Sequence, residues 1–413
     1  MQNVKKEVVL IGAGKIGKGY AADLFNQAGY KLTFLCHSMR QAKEMRDRGG
    51  YTLYKYFDGE DEPRVERVED YEAYSTLEEY DACVDALSKT NYATLHLYPT
   101  AFESVGHMLG DVVKKRVKDK NDGTLDIILC INLMDPHVII RHYIEERLET
   151  EEEWKCYQEK IGLVLALTFR WGANPRPYML ENDPLASCVA ESPDLPVDKE
   201  AFKGPIPEGV ALRPLTKMRE RLIYKVWGGN VSHCIIAMLG KKKGYEYTYQ
   251  GERDEEVYKA SVLGTKEARF GFDKAFTLTE EEKEENFRGR NLRQREPLEG
   301  KPKRLDENTR VGGDPARKLA RNDRLIGPAL SCIKNGKVPY YLTKAAASAF
   351  YFTNPADASA VEIQDFIKEN GIEKAITKFC QLDLNDRYDE IVYQLVLAHY
   401  YDMGDFDPNV VNY

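Results

Sequence analysis

The chain opens with EVVLIG at residues 7–12, an unbroken apolar run that stops at a glycine. A run of that length, closed by a turn residue, predicts a short buried strand. A helical pattern follows from Lys15 through Ala28, and Gly29 ends it. KLTFLC at 31–36 then predicts a second strand. Strand, glycine turn, helix and strand in that order open a parallel α/β sheet. Further strands are predicted at YATLHLY (92–98), LDIILCIN (125–132) and IGLVLALTF (161–169). AFESVGHMLGDVVKKR and HVIIRHYIEERLETEEE, lying between them, are each predicted as a helix.

The pattern changes near 191–217, where prolines and glycines crowd a mostly polar stretch. Such a stretch predicts a linker or an irregular crossing segment. Beyond it the apolar spacing is helical, as in DEEVYKASVLGTKEARFGFDKAF, NDRLIGPALSCIKNG, VEIQDFIKENG and YDEIVYQLVLAHYYD. The expected organisation is a doubly wound α/β domain over 1–195 and a mostly α-helical domain over 196–413. Residues 279–313 are highly charged and poor in large apolar side chains, and are expected to form a solvated loop rather than a lid.

Composition narrows the function. Lys+Arg 59 against Asp+Glu 67 leaves a net charge of −8. That disfavours generic nucleic-acid binding, which needs a basic surface. None of the eight cysteines forms a C-x-x-C pair, so neither structural zinc nor a disulfide framework is expected. The apolar stretches are too short to span a bilayer, and no secretory leader is recognised in MQNVKKEVVLIGAG. A cytoplasmic protein that binds no membrane is the resulting expectation.

Gly12, Gly14 and Gly17, with Ala13, Lys15 and Ile16 between them, make a G-x-G-x-x-G turn between a strand and a helix. The first glycine permits the tight turn, and the second lets a pyrophosphate approach the backbone. The third lets helix and strand pack closely. A Rossmann-type dinucleotide site is therefore expected. After the second strand the sequence reads LCHSMRQ, with no carboxylate for the ribose hydroxyls of NAD(H). Ser38 can donate a hydrogen bond and Arg40 can pair with a 2′-phosphate, which favours NADP(H) over NAD(H).

YKVWGGNVSHCIIAMLG places Lys225, Asn230 and His233 in one apolar segment. On a continuous α-helix, at about 100° per residue, Asn230 lies about 140° from Lys225 and His233 about 80° from it, so all three can face one cleft. The lysine can exchange a proton, the amide can hold a developing oxyanion, and the imidazole can pin a hydroxyl. Gly228 and Gly229 cost helix stability, which suggests that something large, such as a nicotinamide or a substrate, comes close there. Further on, Asp314 can N-cap a helix whose first residue is Pro315. Arg317, Lys318, Arg321 and Arg324 follow, with 317, 321 and 324 on one face. That arrangement makes a phosphate pocket conceivable.

K-x4-N-x2-H followed by GKKKGY resembles the signature of the polyol-specific long-chain dehydrogenases, the mannitol dehydrogenase family. RVGGDPARKLARNDRLIGPAL at 310–330 resembles the matching segment of that family's mannitol-1-phosphate-using members, and LCINLMDP at 129–136 resembles a short asparagine motif in which Asn132 takes the asparagine's place. YATLHLYPTAFESVGHM at 92–108 differs from the usual wording of the family's cofactor-touching strand.

The resemblance implies hydride transfer, without a metal, between a nicotinamide cofactor and a sugar alcohol or sugar-alcohol phosphate. Mannitol 1-phosphate with fructose 6-phosphate is the first pair it suggests. Lys225 would be the general acid/base, with a pKa lowered by burial or nearby positive charge. Asn230 would polarise the carbonyl, and His233 would orient the substrate. Asn132 would serve the cofactor, and Arg317, Lys318 and Arg324 the substrate. The alternatives are an unphosphorylated polyol or hexuronate as substrate, or a non-catalytic NAD(P)-binding sensor. A monomer or a small homo-oligomer suits either.

Overall fold

A computed structural model describes residues 6–57, 62–169, 172–190, 194–288 and 306–403. The chain divides into two compact units, Met1–Arg219 and Glu220–Tyr413. Residues 289–305, the centre of the charged stretch, lie outside the described residues.

The first unit carries the strands β1 (Glu7–Ile11), β2 (Lys31–Cys36), β3 (Gly50–Tyr56), β4 (Arg64–Glu69), β5 (Tyr71–Ser75) and β6 (Tyr92–Leu95). It continues with β7 (Leu125–Leu129), β8 (Ile161–Leu165), β9 (Gly172–Ala173), β10 (Ser187–Ala190), β11 (Leu195–Asp198) and β12 (Leu212–Leu215). Six of them form a parallel sheet in the order β5-β2-β1-β6-β7-β8. Val8 on β1 sits beside Leu32 on β2 and Tyr92 on β6. β6 and β7 are buried along their whole length, which is why they read as unbroken apolar runs. The order reverses direction between β1 and β6, and the carboxyl ends of those strands flank the usual ligand crevice of such sheets.

The second sheet, β4-β3-β10-β9, was not legible from hydrophobic runs. Its role is local. Gly19 lies in a π-helical turn, Gly17–Ala21, and a Cβ there would stand 2.2 Å from Val189 on β10. The missing side chain lets β10 pack directly on the turn. Tyr51 on β3 donates its hydroxyl to the Lys18 carbonyl at 2.6 Å. The helix then runs on as Ala22–Gln27, and Gly29 ends it with φ +75°.

Two sequence expectations need correction. The segment around 194–215 is not a linker: β11 and β12 pair in parallel, and Leu195 and Val197 are fully buried in the first unit. Three tyrosine hydroxyls hold it there, Tyr20 on the Asp194 carbonyl, Tyr92 on Pro205 and Tyr30 on Glu208. Residues 196–219, grouped above with the helical half, thus pack with the first unit. HVIIRHYIEERLETEEE is two helices, Pro136–Glu145 and Glu151–Lys160. Thr150 starts the second with a capping box shared with Glu153, and a reciprocal cap of that kind nucleates a new helix.

Secondary structure among the described residues of the second unit is helical, apart from one bridge, Tyr247 with Glu307. The charged stretch is partly ordered into Glu280–Asn286 and Asn308–Gly312, a departure from the expected loop. The helix Val231–Lys242 runs through the core, and Val231, Cys234, Ile235 and Met238 are all buried there. Beside it, Glu255–Ala275 crosses Ile326–Lys334 at Gly271, where a Cβ would come within 2.7 Å of the Pro328 carbonyl oxygen. No described helix is long and apolar enough to cross a membrane. All eight cysteines are free thiols, and seven are buried.

Because the atom facing Gly271 is backbone, it cannot rotate away. Gly271→Ala is expected to destabilise the second unit by about 1–3 kcal/mol, the usual cost of overpacking. A thermal or urea unfolding curve unchanged from wild type would contradict that crossing.

Candidate active site

Each glycine of the N-terminal turn has its own physical reason. Gly12 sits at φ +103° and donates its N–H to the Leu35 carbonyl at 3.0 Å, which binds the loop to β2. A Cβ on Gly17 would fall 2.0 Å from the Gly12 carbonyl oxygen, so helix and loop touch at that point. Gly14 is the opposite case: a Cβ there would meet nothing within 4 Å. The loop is thus closed on its protein side and open at Gly14, a cradle that suits a phosphate group. Ala13 is buried and its carbonyl accepts from Gln41 Nε2 at 3.2 Å, while Lys15 is exposed and Ile16 half-buried.

Ser38 is the N-cap of the helix Met39–Arg48, and its hydroxyl oxygen accepts from the Gln41 N–H at 3.4 Å. Its own proton remains available to donate. Arg40, in the first turn of that helix, is exposed. Asn132 is also exposed, three residues beyond the end of β7. The loop it belongs to ends at Asp135, held at φ +52° before Pro136. The Asp135 carboxylate takes a two-pronged bond from Arg219, at 2.6 and 2.7 Å.

In the second unit Lys225, Asn230 and His233 lie on one helical run, but not on a regular α-helix. Met218–Tyr224 leads into a π-helical turn, Lys225–Asn230, and then into the α-helix Val231–Lys242. An i→i+5 ladder brings residues five apart nearer to one face than an i→i+4 ladder does. Lys225 and Asn230 are such a pair, so the α-helical angle expected from spacing does not apply between them. Lys225 is buried at 6% exposure, while Asn230 and His233 are half-buried.

Of the two glycines of this turn, Gly228 has a packing reason in the protein's own rings, whereas Gly229 lies at ordinary contact distance from one. A Cβ on Gly228 would meet the Tyr224 ring at 3.1 Å, and one on Gly229 the Phe287 ring at 3.8 Å. Trp227 packs on Phe276, and its indole N–H donates to the Asn322 carbonyl at 3.2 Å. The π-helical turn is thereby tied to the segment that carries Asp323 and Arg324.

That segment departs from the helix expected of it. Only Pro315–Leu319 is helical, and the chain turns extended at Ala320. Pro315 does occupy the first helical position, but Asp314 is no cap. It sits at φ +55°, and its carboxylate accepts from Arg317 Nε at 2.6 Å. The Asp314 N–H goes instead to Asp357, at 2.7 Å. Arg321 does not share a face with Arg317 and Arg324. It turns to Asp389, a fully buried carboxylate, and lies 2.9 Å from Asp389 Oδ1 through Nη2.

Arg317, Lys318 and Arg324 do come together. Asp323, almost wholly buried, binds Arg324 Nε at 2.6 Å and lies 3.7 Å from Arg317 Nη1. Burial alone would raise the Asp323 pKa, but the two guanidiniums outweigh it and hold the carboxyl below its ordinary value. Lys318 is 4% exposed. Its burial, assisted by Arg324 and Arg317 and opposed by Asp314, pushes its pKa down to about 8. All three cations and Asp323 reach the Cys234 thiol electrostatically, and burial nevertheless raises that thiol. Cys234 directly follows His233, so the charges of the basic segment act on the helix that carries the lysine, amide and imidazole. Sequence spacing could not have shown this, because residues 234 and 318 are brought together only by packing.

Residues 6–170 match the profile of the mannitol dehydrogenase Rossmann domain. The chain is 26% identical to mannitol-1-phosphate 5-dehydrogenase of Anoxybacillus flavithermus, over 91% of this chain and 96% of that one. It is 28% identical to the enzyme of the same name from Bacillus licheniformis, over 94% and 98% of the two chains. The chain thus carries a mannitol dehydrogenase Rossmann domain at residues 6–170 and is similar over nine-tenths of its length to enzymes named mannitol-1-phosphate 5-dehydrogenase. Solved structures agree on the fold. Mannitol 2-dehydrogenase of Pseudomonas fluorescens, in a ternary complex with NAD and D-mannitol, superposes with a TM-score of 0.73 at 12% identity, covering 98% of this chain and 92% of that one. A D-sorbitol dehydrogenase superposes at 0.71 with 11% identity, covering 97% and 94%. Among the described residues, no group of three or more His, Cys, Asp or Glu side chains is arranged to hold a metal ion.

The basic cluster carries a stability cost that titrates. With its pKa lowered from 10.5 to about 8, Lys318 is disfavoured in its charged form by the folded state. The cost is complete below about pH 8 and is relieved as pH rises from there to 10.5. Lys318→Met is expected to stabilise the second unit at neutral pH by roughly 3 kcal/mol at most, with the gain shrinking across that pH window. Unfolding curves at pH 7 and pH 10 check it. A gain that did not change with pH would mean that Lys318 is not held in this way.

Proposed function

We propose that this chain is a nicotinamide-dependent polyol dehydrogenase acting on a sugar-alcohol phosphate, with mannitol 1-phosphate and fructose 6-phosphate as the favoured pair. The observation that carries the proposal is the basic segment, Lys318 and Arg324 buried and Arg317 half-buried, whose charges act on Cys234, beside His233 and on the same helical run as Lys225 and Asn230. Three cations there face two carboxylates, Asp314 and Asp323, so a positive excess remains for an anionic group. The relatives named mannitol-1-phosphate 5-dehydrogenase, matched over nine-tenths of the chain, support the same substrate class.

In this proposal the open glycine loop from Gly12 to Gly17, with Ala13, Lys15 and Ile16, receives the pyrophosphate of the cofactor. Asn132 stands on the loop after β7 to contact it. Ser38 and Arg40 mark the ribose end, and their donor and positive charge favour NADP(H). When bound, the reduced nicotinamide supplies the hydride for the ketose carbonyl carbon. Lys225 gives a proton to the carbonyl oxygen on reduction and takes it back on oxidation, so the proton transfer needs no metal ion. Asn230 donates to that oxygen as its charge develops. His233 holds a neighbouring hydroxyl. Arg317, Lys318 and Arg324 counter the phosphate and fix the distance between it and the reacting carbon.

Lys225→Ala is expected to lower turnover at least a thousand-fold, while dinucleotide affinity stays within about two-fold of wild type. Fructose 6-phosphate and fructose, each offered with NADPH and NADH, separate the substrate and cofactor choices. Oxidation of the nicotinamide with the phosphorylated ketose alone is the expected result. Equal rates with fructose, or activity on a hexuronate instead, would remove the phosphate role from the basic segment. Dinucleotide binding without turnover on any of them would favour a sensor.

The pH profile tests Lys318 independently. Below about pH 8 its ammonium is available to a phosphate, and above that value it is lost. The ratio of kcat/KM for the phosphorylated over the unphosphorylated ketose is expected to fall as pH rises through about 8. Taking this ratio cancels the titration of Lys225, which both substrates share. A flat ratio across pH 7 to 9 would count against Lys318 as a phosphate partner.

A further inference from the structure

His96 is one residue past the end of β6, at the point where the strand order of the parallel sheet reverses. Its backbone N–H donates to the Ile11 carbonyl at 3.1 Å, extending the β1–β6 pairing by one rung. Its ring does something different. Nδ1 lies 3.1 Å from the Gly12 carbonyl oxygen, and Nε2 lies 2.8 Å from Thr94 Oγ1. A carbonyl oxygen can only accept, so Nδ1 carries the proton. In a neutral ring Nε2 then accepts from the Thr94 hydroxyl. Burial pushes the His96 pKa down to about 4, against the opposing effect of the Gly12 and Ile11 carbonyls, so the ring is neutral throughout the working range.

The Gly12 carbonyl is a crowded place. It is the atom that a Cβ on Gly17 would strike, and that same Cβ would lie 3.0 Å from His96 Nδ1. A Cβ on Gly12 would in turn meet Leu97 at 2.9 Å. Strand β6, the glycine turn and the start of the helix therefore converge on one oxygen, and the imidazole is the group that satisfies it. The opposite side of the loop, at Gly14, is open.

We propose that His96 is a positioning residue of the dinucleotide site: its Nδ1–H tautomer, set by Thr94, ties down the Gly12 carbonyl and so keeps the Gly12–Gly17 loop in the shape that receives the pyrophosphate. The imidazole does not touch the cofactor in this scheme. It acts on the carbonyl side of the loop and leaves the open side free. The proposal rests on the reading of the glycine loop as the cofactor site.

Two variants separate the tie from simple packing. Asparagine can place its amide N–H where Nδ1 stands, whereas leucine fills the space without a donor. The dissociation constant for NADPH and for NADH, followed by nicotinamide fluorescence, is expected to rise about ten-fold in His96→Leu, the effect of losing one buried hydrogen bond. His96→Asn should recover most of that loss, and the KM for the ketose should stay within two-fold in both. Thr94→Val, which removes the hydroxyl that sets the tautomer, should weaken nucleotide binding by a smaller factor. Nitrogen-15 spectra of histidine-labelled protein should contain a neutral Nδ1–H ring that does not titrate between pH 5.5 and 8 and that is lost in His96→Asn, distinct from the buried His399, which remains. Should His96→Leu misfold, that spectrum and Thr94→Val decide the matter. Equal affinity in wild type and His96→Leu, equal losses in the leucine and asparagine variants, or a His96 that titrates normally would each overturn the proposal. If the unaltered protein binds neither nucleotide, the cofactor reading itself falls and takes this proposal with it.

Discussion

Asp323 is the charge on which the second unit depends. Burying a guanidinium or an ammonium is costly, and burying several together is more so unless a counter-charge is buried with them. Asp323 lies within ion-pair distance of both Arg317 and Arg324, and those two guanidiniums hold it ionised. With that carboxylate in place Lys318 and Arg324 can stay buried and Arg317 half-buried. One part of the cost remains visible, since Lys318 keeps its proton less readily than a free lysine. A site that collects positive charge without water has to carry such a penalty, and natural proteins accept it where the charge has a use.

The same segment is fastened to the central helix by a neutral contact. Trp227 leaves the π-helical turn and hydrogen-bonds the Asn322 carbonyl, next to Asp323 in the chain. A Cβ on Gly327 would fall 2.5 Å from the Trp227 ring, so the segment packs against the face of that side chain. The π-helical turn thus has a packing cause as well as a geometric effect. It orients Trp227 toward the segment and brings Lys225 and Asn230 nearer to one side. π-Helical turns are uncommon and concentrate at functional sites. Among the described residues there are two, one at the glycine loop and one at Lys225–Asn230.

Much of the first unit was legible from hydrophobic runs. β1, β2, β6, β7 and β8 all fall inside predicted runs, because strands buried on both faces show as unbroken apolar segments. The glycine turn was legible too, since Gly12 and Gly17 answer steric demands of the turn and Gly14 leaves its open side free. The second sheet was not legible, because β4 is almost wholly exposed and β9 has only two residues. Nor was the packing of residues 194–215 on the first unit, which three tyrosine hydroxyls bring about from positions more than 100 residues away in the chain.

The amino-acid sequence by itself determined the class of fold, the resemblance to the polyol dehydrogenases, and the residue types available for proton transfer, carbonyl polarisation and phosphate binding. Those are properties of composition and spacing along the chain. Tertiary structure decided which of these residues meet. It turned Arg321 to Asp389, 68 residues away, and left Asp314 binding Arg317 instead of capping a helix. It brought the charge of Lys318 to bear on Cys234 and set His96 against Gly12, 84 residues away from it. The physical reason is common to all four. A polar group leaving water needs a partner, and whether the nearest is a chain neighbour, as for Asp314, or a distant residue is settled only when the core closes.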